Sequence, residues 1–141
     1  MSIKTFPPKL NDTFKHEFSF TEEQLLTYAQ ISGDINPIHV SNEYAGQTKF
    51  GKCIVHGYFA ISAFSKIYGT LLYPDGHILI SQSAKYIKPI FTDIPYIAVV
   101  TVKELIPEKN RVVYLNEIFD TENNQLKITG EAILLNKNYF N

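Results

Sequence analysis

Val55-His56-Gly57-Tyr58-Phe59-Ala60-Ile61-Ser62-Ala63-Phe64-Ser65-Lys66-Ile67-Tyr68 carries one charge, Lys66, with small or apolar residues on every face. A helix that is hydrophobic nearly all round belongs in a core. The stretch therefore predicts a buried helix roughly 20 Å long, at about 1.5 Å per residue. Such a helix needs cover. Segments near 77–88, 96–106, 111–120 and 125–135 are rich in Val, Ile, Leu, Thr and Tyr. They are separated by Pro89 to Pro95, by Pro107-Glu108-Lys109-Asn110 and by Glu122-Asn123-Asn124, which reads as an antiparallel meander with hairpin turns. The fold class is α+β, one long helix wrapped by a curved antiparallel sheet of about five strands.

On the N-terminal side, Phe14, His16, Phe18 and Phe20 alternate with Lys15, Glu17 and Ser19, the pattern of a half-buried strand. Thr21-Glu22-Glu23-Gln24 is a capping box with acids at the positive helix end. The helix it opens should run to about Ile31, with Leu25, Tyr28 and Ala29 on its buried side and Ile31 as a further candidate. Ser32 to Pro37 is rich in turn residues and reads as non-helical, and Ser41-Asn42-Glu43 can start a short helix to about Gln47. Phe6-Pro7-Pro8 reads as an extended lead-in, because each Pro disfavours helix at the residue before it.

A chain of 141 residues, 45 % of them hydrophobic, suits one domain over residues 1–141. Thirteen Lys and Arg against fourteen Asp and Glu leave a net charge of −1, without the basic footprint of a nucleic-acid binder. A single Cys excludes an internal disulfide framework. No apolar run approaches the roughly 18 residues of a membrane span, and Met1 to Thr13 has no apolar signal core. These features set the expectation of a soluble, cytoplasmic protein.

Ser32-Gly33-Asp34-Ile35-Asn36-Pro37-Ile38-His39 is open to two readings. Gly, Asp, Asn and Pro cluster in ordinary turns. Yet Asp34 and His39 flank a segment stiffened by Pro37, and an acid with an imidazole on one water makes a general acid–base pair near neutral pH. Asn36 adds an amide that could orient either partner. Gly57, opening the apolar helix, could serve helix packing alone. It could equally admit a ligand to its backbone N–H, where orphan amides and the helix dipole stabilise a developing oxyanion.

Together these stretches resemble the MaoC-like hydratase/dehydratase family, the (R)-specific enoyl-CoA hydratases also called hydratase 2. The match runs through Ser32-Gly33-Asp34-x-Asn36-Pro37-x-His39, Tyr44-Ala45, Phe50-Gly51 and Ile54-Val55-His56-Gly57. It continues more weakly through Ser81-Gln82-Ser83, Lys88-Pro89-Ile90-Phe91 and Gly130-Glu131-Ala132. The resemblance implies a hot-dog fold paired into a homodimer, and a hydro-lyase acting on acyl-CoA or acyl-carrier-protein thioesters without cofactor or metal. It implies that Asp34 and His39 activate water with support from Asn36, and that Gly57 gives an oxyanion-hole N–H. Ser65, His56 and Tyr58 would contact substrate. Two departures stand out: Tyr58 replaces the usual Met and bears on the acyl pocket, and Thr92-Asp93-Ile94-Pro95 replaces a Gly-Asp loop.

Rival readings are a thioesterase on the same fold and a non-catalytic acyl-thioester binder. Neither has an evident use for the Asp34/His39 pair. Gly46 to Cys53 only approaches a phosphate loop, because Cys53 lacks the hydroxyl that ligates Mg²⁺. Asp34-x-Asn36 fails as a calcium loop, with His39 and Ala45 where Gly and Glu belong. Cys53 and His56 lie three apart but lack further Cys for zinc. Asn11-Asp12-Thr13 is a glycosylation sequon without use unless secreted. Lys49, Lys52, Lys85 and Lys88 are candidates for coenzyme A phosphates, against the ordinary reading of solvated lysines.

Overall fold

In the computed structural model, which describes residues 7–140, the aromatic alternation forms β1, Thr13–Phe18. Phe6 of the lead-in Phe6-Pro7-Pro8 lies outside the described residues, as do residues 1–6 of the stretch without an apolar signal core. Helix α1, Glu22–Ser32, starts at the expected capping box: the Gln24 N–H donates to Thr21 Oγ1 and the Thr21 N–H to Gln24 Oε1. It buries Leu25 and Ala29, but Ile31 is 79 % exposed. Gly33 ends it in the left-handed conformation, φ 78°, which glycine adopts without steric cost. Two short helices follow, α2 at Pro37–Val40 and α3 at Asn42–Gly46, the latter capped by Ser41. The non-helical reading of Ser32 to Pro37 is corrected at both ends: Ser32 closes α1, and Pro37 opens α2 because the Asn36 side chain caps it.

The apolar helix begins at Gly57 rather than Val55 and continues past Tyr68. It comprises α4, Gly57–Ala60, then α5, Ser62–Lys66, and a π-helical turn, Ile67–Leu71. Val55 is held before it, its N–H donating to the Ile90 carbonyl. The expectation of burial all round is corrected as well. Ala60, Ala63, Phe64, Ile67 and Tyr68 are buried, whereas Tyr58 is 81 % exposed and Ser62, Ser65 and Gly69 lie on the same open side. Small side chains made that side look neutral in sequence. They bury little apolar area wherever they point, so they do not force a face inward.

Strands β2 (Ile78–Gln82), β3 (Lys85–Tyr86), β4 (Tyr96–Ile106), β5 (Arg111–Asp120) and β6 (Leu126–Leu135) complete one antiparallel sheet. Its order is β1-β4-β5-β6-β2, with β3 also on β6. The expected meander holds for β4 to β6. It fails for β2, which lies beside β6 rather than β4. The connection before β4 contains two prolines and a left-handed Asp93, φ 60°, whose N–H reaches the Phe20 carbonyl. That path crosses to the far side of the sheet instead of closing a tight turn.

Period-two burial on β4 sends Tyr96, Ala98, Val100 and Val102 inward. There they join Ile118, Ile128, Phe64 and Ile67 in one core. Among the described residues no helix is long and apolar enough to cross a membrane.

Candidate active site

The loop after α1 is built by its own side chains. Ser32 Oγ accepts from the Asp34 N–H at 3.1 Å, and Asp34 Oδ1 accepts from the Asn36 N–H at 3.2 Å. Asn36 is the N-cap of α2, with Oδ1 accepting from the Ile38 N–H and its carbonyl from the His39 N–H. Pro37 holds the first helical position, where a missing N–H costs nothing. Each residue of Asp34-x-Asn36-Pro37-x-His39 thus has a backbone task, and together they place His39 in a buried position.

His39 Nδ1 lies 2.7 Å from the Ile54 carbonyl oxygen. A carbonyl can only accept, so Nδ1 carries the proton and Nε2 of the neutral ring keeps its lone pair. By the same reasoning His56 Nε2, 2.9 Å from the Asp34 carbonyl, donates to it. The His39 and His56 rings stack with centroids 3.9 Å apart, and the Tyr28 ring meets His56 edge-on at 4.8 Å. His56 is 1 % exposed, which places it behind His39 as a support for the Asp34 backbone.

A carboxylate oxygen of Asp34 and ring nitrogens of His39 and His56 lie within 4.8 Å of one another. One water can bridge such a gap with two ordinary hydrogen bonds of about 2.8 Å. The same three residues are the candidate metal ligands among the described residues. Their geometry suits a metal poorly. Stacked imidazoles hold their lone pairs in two nearly parallel planes, here 23° apart, whereas zinc needs nitrogens converging on one point at about 2.0–2.1 Å. One nitrogen of each ring is also already bound to a carbonyl.

Gly57 follows His56 directly and starts the apolar helix, whose first turn has no capping side chain. It lines a cavity of about 360 Å³ with Phe50, Ile54, Tyr86, Lys49 and Lys88. Of the four candidate lysines, Lys49 and Lys88 thus border it. Lys49 also sits over the Phe50 ring at 5.3 Å, and Lys52 over the Phe91 ring at 4.7 Å. Ser65 and Tyr58 are not in this group. They line a second cavity of about 250 Å³ on the open side of the helix, with Ser62, His77, Leu79 and Gln82.

Three elements of the site have no counterpart in the sequence reading. The Ile54 carbonyl sets the His39 tautomer, and a backbone acceptor leaves no mark in residue type. Tyr28 was expected as core and instead edges His56. Tyr86 donates its hydroxyl to the Gly57 carbonyl at 2.8 Å, from a two-residue strand too short to show periodicity.

One antiparallel sheet packs on the apolar helix, and an acid and an imidazole lie close to His56 at that helix's start. Residues 6–118 match the family described as the MaoC like domain, and the chain belongs to that family. It is 38 % identical over 103 residues to the 3-hydroxybutyryl-CoA dehydratase of Methylorubrum extorquens, a match covering 72 % of this chain and 64 % of that protein. It is 33 % identical over 117 residues to the (R)-specific enoyl-CoA hydratase of Rhodospirillum rubrum, covering 83 % and 80 %. The solved (R)-hydratase from A. caviae superposes with a TM-score of 0.85 at 29 % identity, over 91 % of this chain and 96 % of that one. The hot-dog fold implied by the motifs is the fold found.

Proposed function

We propose that the protein adds water to trans-2-enoyl thioesters, giving (3R)-hydroxyacyl thioesters, and catalyses the reverse dehydration. The observation that carries this is the placement of the Asp34 carboxylate and the His39 ring within 4.8 Å, a span that holds one water against both. The water oxygen attacks C3 while enolate charge gathers on the thioester oxygen, where the Gly57 N–H stabilises it. One proton leaves the water and one reaches C2, so the pair ends as it began. Asp34 and His39 act as a coupled pair, which delivers both parts of the water to one face of the double bond.

Lys49 and Lys88 at the rim of the Gly57 cavity suit the phosphates of coenzyme A or of an acyl carrier arm. Ser65 and Tyr58 line the second cavity, which we assign to the acyl end. A homodimer is part of the same reading. Strand β2 lies at an edge of the sheet and exposes Ile78, Leu79 and Ile80, at 56 %, 55 % and 40 %. An uncovered apolar edge of this kind favours pairing with a second copy.

The test follows enoyl absorbance on crotonyl-CoA. Asp34→Asn and His39→Gln should each lose about 10²–10⁴-fold in kcat, the usual contribution of positioned acid–base groups, while remaining folded. Wild-type rates in either variant would sink the assignment. Release of free thiol without loss of the enoyl band would make the protein a thioesterase instead.

A further inference from the structure

Tyr86 touches Gly57 in two ways. Its hydroxyl donates to the Gly57 carbonyl at 2.8 Å. Its ring lies so close to the Gly57 Cα that a Cβ there would meet Cζ at 2.9 Å and Cε1 at 3.1 Å. A side chain at 57 would therefore push the Tyr86 ring out of this contact. The Gly57 carbonyl also accepts from the Ile61 N–H, at 3.3 Å. That long bond falls where the helix breaks between α4 and α5, so the Tyr86 hydroxyl is the shorter of the two ties on this oxygen.

The anchor of Tyr86 is itself firm. Strand β3 pairs Lys85 and Tyr86 with Thr129 and Ile128 of β6, and the Ile87 and Lys88 N–H groups both donate to the Lys127 carbonyl. Just before it, Ser83 and Ala84 cross directly over Gly130. A Cβ on Gly130 would fall 2.0 Å from the Ser83 carbonyl oxygen. Ser83 is bonded to Glu131 from both sides, N–H to carbonyl at 2.8 Å and Oγ from N–H at 2.9 Å. Burial of the phenol raises the Tyr86 pKa above its ordinary value, so the hydroxyl stays a donor through the neutral range.

We propose that Tyr86 is a positioning residue for the reaction: ring and hydroxyl together fix Gly57 so that its N–H meets the thioester oxygen as charge develops. This rests on the hydratase reading above and adds to it a residue that does not touch the reacting atoms. A small misplacement of an aligned donor is costly because transition-state stabilisation depends on preorganised geometry.

Tyr86→Phe keeps the ring and deletes the hydroxyl. On crotonyl-CoA its kcat should fall about tenfold with KM within about twofold, less than the ~10²–10³-fold of losing an oxyanion donor outright. The second readout is the carbonyl stretch of bound, carbonyl-labelled butyryl-CoA, which has no double bond to hydrate. In the wild type it should shift to lower frequency than in solution, and in Tyr86→Phe it should move back toward the solution value. A merely structural role, which lowers the folded fraction, leaves that frequency unchanged. Wild-type kcat in the variant, an effect confined to KM, or an unchanged carbonyl frequency each overturns the proposal. A wild-type protein that does not hydrate crotonyl-CoA overturns the hydratase reading instead, so the two failures are separable.

Discussion

The two sides of the site are held in different ways. The Asp34/His39 side is a loop that caps itself: Ser32, Asp34 and Asn36 each bond the backbone two residues on. Its longest ties reach only to Ile54 and His56. The Gly57/Tyr86 side is assembled from far along the chain, with Tyr86 fixed to β6 and Ser83 seated on Gly130. Redundant short-range caps can lose one member and keep their course. A close backbone crossing has no slack to lose.

The largest effect expected from that contrast is at Gly130. Gly130→Ala places a Cβ against backbone atoms of Ser83 and Ala84, which cannot rotate away as a side-chain tip would. The cost should reach at least about 1–3 kcal/mol, the range of core overpacking, read as a lower thermal midpoint. Because the displaced segment carries Tyr86, activity per folded molecule should drop too. A variant as stable and active as wild type would show the crossing to be loose and the contrast false.

The same contrast explains what the sequence disclosed. Thr21 to Gln24 and Ser41 announced their helix starts because capping chemistry is local and written in residue type. Gly33 and Asn36-Pro37 carry the same chemistry, but within a stretch so rich in turn residues that it read as non-helical throughout. The long strands β4, β5 and β6 were legible from their composition and turns. The place of β2 beside β6 was not, since pairing partners follow from the path of the proline-containing connection and from Gly130. Helix composition also misled where side chains are small: Ser62, Ser65 and Gly69 carry no polarity strong enough to mark an open face. In the candidate site, Asp34, His39 and Gly57 were named by their motif. Tyr86 and the Ile54 carbonyl were not, because one acts across 29 positions and the other through its backbone.

A smaller effect should follow removal of the Asn36 cap. Asn36→Ala leaves the His39 N–H bonded to the residue 36 carbonyl but frees the Ile38 N–H. The expected loss is about 1 kcal/mol, the usual value of an N-cap, with a several-fold drop in kcat as His39 wanders. Asn36→Ser should restore most of both, since a serine hydroxyl also caps. If Asn36→Ala matches wild type in both measurements, the cap does not hold the pair. If serine fails to rescue, the Asn36 amide has a direct role that capping does not describe.

The smallest effect is on pH dependence, and it tests whether the second cavity, apart from both sides, is closed to solvent. His77 lies beside the cavity that holds Ser65, with both ring nitrogens buried and without hydrogen-bond partners. Its ring meets Tyr139 edge-on at 5.0 Å, and Asn136 pins the chain before it by bonding the Pro74 and Asp75 carbonyls. Burial lowers its pKa from 6.5 to about 4, with the Asp75 carboxylate opposing the shift. The unfolded chain therefore binds this proton at a higher pH than the folded one does. The contribution to stability is complete above about pH 6.5 and is lost as pH falls toward about 4. His77→Phe, which keeps a ring against Tyr139 but cannot take a proton, should narrow the gap in thermal midpoint between about pH 7 and about pH 5. An unchanged gap would mean that the ring finds water or a polar partner when it is protonated. The cavity beside Ser65 would then be open to solvent at His77, unlike the Gly130 crossing, which leaves no room for even a Cβ.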